Sequence, residues 1–336
     1  MATMKDVAER AHVSTATVSY VLNGTGTVTL ATRQRVLSAV AALNYQPNHA
    51  ARSLRTRART LGLVLPPGPA GLGDPALAEL VAGLSEAAAT SGYYLLLAPS
   101  GDRPEYELGA DLARTGRVDG LVLLDLRCDD QRAAHLVAAG VRCVGAGAPD
   151  AGTPCPAVGL DLAQGAADAT RHLCALGHTR IAMIALPTDL ADSEPFYQGF
   201  VAALAASGRE ADSALIVEAG TSQDDGFAAM QELLAHPEPP TACLAASDTL
   251  AFGAMHALRD AGLEVGRDLA LIGCGDLPLA AHTHPALTTL RAPRRAMGAA
   301  LAHCLIALVE RRPIPPATRL PLQLIIRKST APPPGA

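Results

Sequence analysis

Between Leu61 and Gly275 short apolar runs alternate with Ala- and Leu-rich segments of helical period, and this alternation restricts the fold more than any other feature. The runs are "LGLVLP", "YYLLLAP", "GLVLL", "VRCVGAG", "RIAMIAL", "TACLAAS" and "LALIGCG", each bounded by Pro, Gly or polar residues. Segments such as "PALAELVAGLSEAAATSG" and "AQGAADATRHLCALGH" separate them. Short strands without polar alternation, each followed by a helix, predict α/β architecture with parallel sheets covered on both faces. Roughly nine strand–helix units are too many for one compact doubly wound sheet. Two doubly wound lobes are expected, with a cleft at the carboxyl ends of their strands.

The first 60 residues differ in texture. Thr3 followed by Asp6 is a capping box that predicts a helix through about Ala11, with Val7, Ala8 and Ala11 inward. "HVS" reads as a tight turn, and Ser14 caps a second helix, "TATVSYVLN". A third begins between Thr29 and Thr32, with Val36, Val40 and Leu43 at helical spacing. A second helix joined to the first by a tight turn is a helix-turn-helix arrangement. At about 100° per residue, Val18, Val21 and Leu22 of the second helix share one arc. Thr15, Ala16, Ser19, Tyr20 and Asn23 share the opposite one, and Thr17 falls between. That outer arc carries no Lys, Glu or Arg. A face of small hydrogen-bonding side chains suits close approach to a rigid partner.

The formal charge of −5 is divided unevenly. Residues 1–59 hold eight basic residues against two acidic ones, a net of +6, which leaves −11 for the remainder. A basic head on an acidic body predicts polyanion binding by the head. Next to it, "QPNHAARSLRTRART" places Asn48 as a helix cap after Pro47, but the helix it could start is too short to stand alone. A plain basic linker is the competing reading.

Other classes find little support. No run of 18 apolar residues occurs, so no membrane span is expected. The N-terminus lacks an apolar signal region, which predicts a cytoplasmic protein. Seven dispersed cysteines without a C-x-x-C pair read as reduced thiols, with no structural zinc. "GAGAPDAG" is not a complete dinucleotide fingerprint, and no P-loop, H-E-x-x-H or G-x-S-x-G appears. His282 and His284 have no clear third metal ligand. No cofactor, metal or catalytic residue is predicted, because no nucleophile stands beside a base. Asp161, Asp192, Asp248 and Asp276 follow apolar strands and so belong at the cleft. Such residues are either helix caps or ligand contacts.

The stretch from Met4 to Leu54, "MKDVAERAHVSTATVSYVLNGTGTVTLATRQRVLSAVAALNYQPNHAARSL", closely resembles the head of the lactose repressor/purine repressor family of bacterial regulators. "DPALAELVAGLSEAA", "LGHTRIAMI", "QGFVAAL", "SDTLAFGAMHALRDAGLEVGRDLALIGCGD" and "PALTTLRAPRRAMG" extend the resemblance through the body. It implies a helix-turn-helix head (1–46), a hinge helix (47–59) and a periplasmic-binding-protein-like body (60–330). One lobe would hold about 60–160 and 290–322, the other 161–289 and 323–330, with a disordered tail at 331–336. It further implies a homodimeric repressor on a palindromic double-stranded DNA operator, controlled by a small effector.

By the same resemblance Thr15, Ala16 and Tyr20 read bases in the major groove, Leu54 intercalates and Arg55 lies in the minor groove. Ser14, Thr17, Ser19, Asn23 and Tyr45 match phosphate-contacting positions, and Arg33 and Arg52 join them as basic residues of the head. Small hydroxyls let a helix sit deep in the groove, where a Lys-rich face would hold it at the phosphates. The effector side departs from the family. "DPAL" offers Ala76 and Leu77 where aromatics are usual, Phe196 replaces a common arginine, and an acidic pair is reduced to Gly275 and Asp276. With four Phe and no Trp, stacking on a purine is poor, and a sugar or other polar metabolite fits better. The expected effector set is Asp161, Asp192, Phe196, Asp248 and Asp276. A body that has lost effector binding is one alternative. A transport solute-binding protein is another, opposed by the basic head; an α/β enzyme would need a base and nucleophile that are not found.

Overall fold

The computed structural model describes residues 3–23, 28–43, 58–65, 73–148, 154–314 and 318–333. The chain forms two compact units, Met1–Ala58 and Arg59–Ala336.

In the first unit, α1 (Met4–Ala11) starts at the capping box. Thr3 Oγ1 accepts from Asp6 N at 3.3 Å, and Asp6 Oδ2 accepts from Thr3 N at 2.7 Å. Such a cap contributes about 1 kcal/mol. The helix stops where His12 turns left-handed at φ 53°. The turn leads into α2 (Thr15–Asn23), and α3 (Leu30–Ala42) begins at Thr29, whose hydroxyl accepts from Thr32 N at 3.3 Å. Val7, Ala8, Ala11, Val18, Val21, Val36 and Ala39 close a small core, with Val40 and Leu43 packed against it.

The second unit has two lobes. The first takes β1 (Thr60–Leu65), α4 (Pro75–Thr90), β2 (Tyr94–Pro99), α5 (Glu105–Arg114), β3 (Gly120–Leu123), α6 (Gln131–Ala138), β4 (Cys143–Ala146) and β5 (Ala157–Leu160). The second takes α7 (Leu162–Ala175), β6 (Ile181–Ala185), α8 (Ser193–Ala206), β7 (Ile216–Glu218), α9 (Gln223–Leu234) and β8 (Ala242–Ala245). It continues with α10 (Asp248–Asp260), β9 (Ala270–Gly275) and β10 (Thr288–Arg291). The chain then returns to the first lobe for α11 (Arg294–Glu310) and β11 (Thr318–Leu320), and crosses again to end in β12 (Gln323–Ile325).

The sheets run β11-β5-β4-β3-β1-β2 and β12-β10-β9-β8-β6-β7. Every pairing is parallel except β10 with β12, where the third crossing brings the chain back in the opposite direction. Because β10 stays in the second sheet through Arg291, the middle crossing lies at Ala292–Pro293 rather than at 290. The start of the tail is not disordered: Ala331 O bonds His178 Nε2 at 2.8 Å, while 334–336 lie outside the described residues.

The inner strands are buried on both faces, as their unbroken apolar runs require: β3, β4, β5, β6, β8 and β9 are buried throughout. Helices α4 and α11 meet backbone to backbone. A Cβ on Gly83 would lie 1.9 Å from Arg295 O, and one on Gly298 2.0 Å from Leu80 O. Any larger residue at either position forces the two helices apart.

Candidate functional site: the head face and the cleft of the body

On α2, Thr15 and Ala16 are exposed and Tyr20 is 51% exposed, while Val18 and Val21 are buried. Thr15, Ala16 and Tyr20 of the outer arc therefore face solvent. Ser14 Oγ accepts from Thr17 N at 3.1 Å and shares a 3.0 Å hydrogen bond with Thr17 Oγ1, so both hydroxyls sit at the first turn of α2. Ser19 is half-buried, and Arg33 is exposed on the first turn of α3. Asn23 is the last residue of α2. Tyr45, Arg52, Leu54 and Arg55 lie outside the described residues.

Tyr20 projects an apolar ring and one hydroxyl from this face, a combination that can discriminate between base edges. Replacing Tyr20 with Ala should change the preferred base at one position per half-site, by about 1–3 kcal/mol per base pair. Site selection with the variant reads this directly. Recovery of the parental motif would remove Tyr20 from the reading set.

In the body, the loops at the carboxyl ends of β3 and β6 reach each other across the lobes. Ala191 N donates to Leu126 O at 2.9 Å, Cys128 N donates to Asp189 O at 3.0 Å, and Arg127 pairs with Asp189. Asp192 Oδ1 accepts from Ala148 N at 2.8 Å, joining the start of α8 to the end of β4. These bonds form a strap between the two lobes. Its first-lobe half rests on Arg132, which donates to Asp130, to Glu105 Oε2 at 2.8 Å, and to the Leu124 and Asp125 carbonyls at 2.9 Å each.

The predicted ligand residues take distinct places. Asp161 caps α7, accepting from Gln164 N at 3.3 Å. Phe196 is 2% exposed and belongs to the core, so its ring is not presented to the cleft. Asp248 has no exposed surface: Oδ2 accepts from Leu277 N at 2.6 Å and Oδ1 from Thr289 Oγ1. Its carboxylate fits because Gly273 and Gly275 have no side chains. A Cβ on Gly273 would lie 2.3 Å from Oδ1, and Gly275, at φ +140°, would bring one 3.3 Å from Oδ2. The glycine found in place of a second acidic residue thus makes room for Asp248. Asp276 is held on both oxygens, by Arg291 Nε at 2.7 Å and Arg327 Nη2 at 2.6 Å. Asp161, Phe196, Asp248 and Asp276 all have structural engagements, and each would act on a ligand through the loop or packing it fixes.

Asp192 differs. Burial pushes its carboxyl up to about 6, and nearby Asp125 adds to the rise, while the Ala148 amide and the charge of Arg294 oppose it. The folded state therefore favours the protonated acid. That contribution is complete below the ordinary value of 3.8 and is lost as pH rises through about 6. Ionisation at neutral pH costs roughly 3 kcal/mol on this basis. Asp192→Asn keeps an acceptor for Ala148 and removes the charge. It should melt above the parent at pH 7.5, with the difference fading at pH 4; a constant difference across this range would contradict the assignment.

Two residues in these loops escaped the sequence reading. Arg294, the first residue of α11, exerts its charge on Asp192 and Asp248. Ser100, after β2, is 5% exposed and its Oγ has no hydrogen-bond partner among the described residues. Cys274, near the same charges, is pushed up to about 12 by burial first and by Asp248 second, which suppresses its nucleophilic form. Among the described residues no cluster of His, Cys, Asp and Glu is arranged to hold a metal. No helix among them is long and apolar enough to cross a membrane.

A helix-turn-helix head on a two-lobed body with a cleft between parallel sheets defines the class of ligand-responsive DNA-binding regulators. Residues 3–48 match the model for bacterial regulatory proteins of the lacI family, and residues 170–330 match the periplasmic binding protein-like domain. The HTH-type transcriptional regulator AglR of Rhizobium meliloti (strain 1021) is 37% identical over 337 residues, covering 98% of this chain and 95% of its own. The HTH-type transcriptional repressor CytR of Escherichia coli (strain K12) is 34% identical over 339 residues, covering 98% and 96%. Among solved structures, a CelR–cellobiose complex aligns at TM-score 0.75 with 35% identity, covering 98% of this chain and 100% of that one. The lac repressor dimer bound to operator and the anti-inducer ONPF aligns at TM-score 0.85 with 29% identity, covering 98% and 99%. The chain belongs to the lacI family of bacterial regulatory proteins. It is a DNA-binding transcription regulator.

Proposed function

We propose that this protein is a cytoplasmic repressor that binds a palindromic operator as a homodimer and changes its grip when a small hydroxylated ligand enters the cleft. The observation that carries this reading is the strap: Leu126, Asp189, Ala191, Asp192 and Ala148 join the lobes through bonds that a ligand between them can tighten or break. Asp192 is the carboxylate best suited to receive ligand hydroxyls. The resemblance to a cellobiose-bound regulator supports a sugar-like ligand, and the lac repressor dimer supports two copies on DNA. Tyr94, 72% exposed on the edge strand β2, and Leu279, 51% exposed, are large apolar surface residues that a second copy can cover.

In this reading Thr15, Ala16 and Tyr20 read bases, and Arg33 meets phosphate. The segment 47–59 forms a hinge helix only when paired on DNA, where Leu54 wedges the central step. Lobe movement then alters the spacing of the two hinges. No catalytic step is involved. Selection from random DNA by the full chain should return a palindrome whose half-sites lie about one turn, ~34–36 Å, apart. An unrepeated single motif would rule out the dimeric arrangement.

A further inference from the structure

Arg294 stands apart from the other arginines around the cleft. Arg291 and Arg327 are bound to Asp276, Arg132 to Asp130 and Glu105, and Arg127 to Asp189. Among the described residues the guanidinium of Arg294 makes no hydrogen bond or ion pair, and its Nε is shielded from solvent. Its charge reaches Asp192, Asp248 and Cys274 without closing a contact with any of them. Arg294 is half-buried, and a guanidinium whose Nε is shielded without a partner is unfavourable unless something completes it.

A second feature lies at the same place. Arg294 opens α11, a helix of 17 residues whose N-cap, Pro293, supplies no side-chain hydrogen bond. The positive end of that helix therefore lacks a side-chain cap beside the guanidinium. Asp192, on which that charge acts, uses only Oδ1 for Ala148 in the described contacts. Arg294 and the start of α11, which has no side-chain cap, thus follow the middle crossing between the lobes, within electrostatic reach of Asp192 in the strap.

We propose that Arg294 and the start of α11 form an anion anchor, and that the cleft takes a hydroxylated ligand bearing one carboxylate or phosphate: a sugar acid or sugar phosphate. The planar fork of guanidinium matches either group with two parallel hydrogen bonds. Hydroxyls on the same ligand donate to Asp192. This rests on the reading of the cleft as the effector site.

Calorimetry on the full-length protein with glucose, cellobiose, gluconate, glucuronate, glucose 6-phosphate and inorganic phosphate tests it. At least one anionic sugar should bind at least about tenfold tighter than the neutral sugars, consistent with a charge-assisted contact. Gluconate or glucuronate against glucose 6-phosphate separates carboxylate from phosphate, and inorganic phosphate shows whether the anion suffices without hydroxyls. Arg294→Met should lose about 100-fold of that affinity, with Arg294→Lys retaining part of it. Measured at pH 4, where Asp192 is protonated and no longer draws on the charge of Arg294, the free Arg294→Met protein should melt no lower than the parent, whereas a purely structural arginine would lower the melting temperature.

Neutral sugars binding as tightly as acids, an acid whose affinity survives Arg294→Met, or no anionic sugar binding at all would each overturn the proposal. The acid-against-neutral comparison in the parent needs no variant. Operator binding, followed in parallel, separates the two readings. A neutral sugar that shifts operator affinity removes the anion anchor and keeps effector control. An acid bound through Arg294 that leaves operator affinity unchanged does the reverse.

Discussion

A protein lacking residues 1–60 is expected to lose operator affinity by about a thousandfold or more, the gap that separates specific from non-specific binding. The basic head carries +6 against −11 for the remainder, so the body alone repels DNA. For the full chain, log affinity should fall with log salt by about 0.9 per phosphate neutralised. Arg33→Ala should weaken all sequences alike and reduce that slope by about 2, one for each copy in the dimer. Gel-shift titrations across a salt series measure both effects. A body fragment that still held the operator tightly would place the reading surface elsewhere.

Arg132→Ala is expected to destabilise the body by about 3–5 kcal/mol, the range for removing one partner of a buried charge pair. Asp130 is 3% exposed, and without Arg132 it becomes a buried carboxylate with only backbone donors. Glu105 loses its partner as well, and the Leu124 and Asp125 carbonyls lose their donor. Lysine does not restore the set, because a single ammonium cannot reach acceptors arranged around a planar fork. Burial pushes the Asp130 carboxyl up, but Arg132 and the Arg127 and Arg132 amides together hold it below the ordinary 3.8. Its folded value is thus depressed, so its contribution is present above about pH 4 and is lost as pH falls through the folded value. Urea unfolding at pH 7 is the measurement. A variant within about 1 kcal/mol of the parent would show that the network is dispensable.

The head was readable because its signals are local. Thr3 with Asp6, Ser14 with Thr17 and Thr29 with Thr32 are all three residues apart, and these caps set where the helices begin. In the body, the apolar runs located β1 to β4, β6, β8 and β9. The strands that escaped are short or polar. β10 carries Thr288 and Thr289, both fully buried because Arg327 N, Ser329 and Asp248 satisfy them from distant positions. β11 and β12 have three residues each, and Pro321 lies in the crossing between them.

The cleft was readable as a location but not as a set of partners. A carboxylate after an apolar strand marks the cleft end of a lobe, yet Asp276 finds its arginines 15 and 51 positions away, and Asp248 finds Thr289 at 41. Those pairings depend on the order of strands in the sheet. Nothing in "APRRAMG" separates Arg294 from Arg295, which pairs with Glu86 on α4. The available signal was Pro293 just before a helix, marking a start without a side-chain cap.

Control of DNA binding by the cleft is tested most directly by fluorescence-anisotropy titration of a labelled operator at fixed salt, with and without a saturating ligand identified by calorimetry. Coupling between the two sites predicts a change in operator Kd of about 5- to 150-fold. A ligand that saturates the body while the operator Kd stays the same would contradict it.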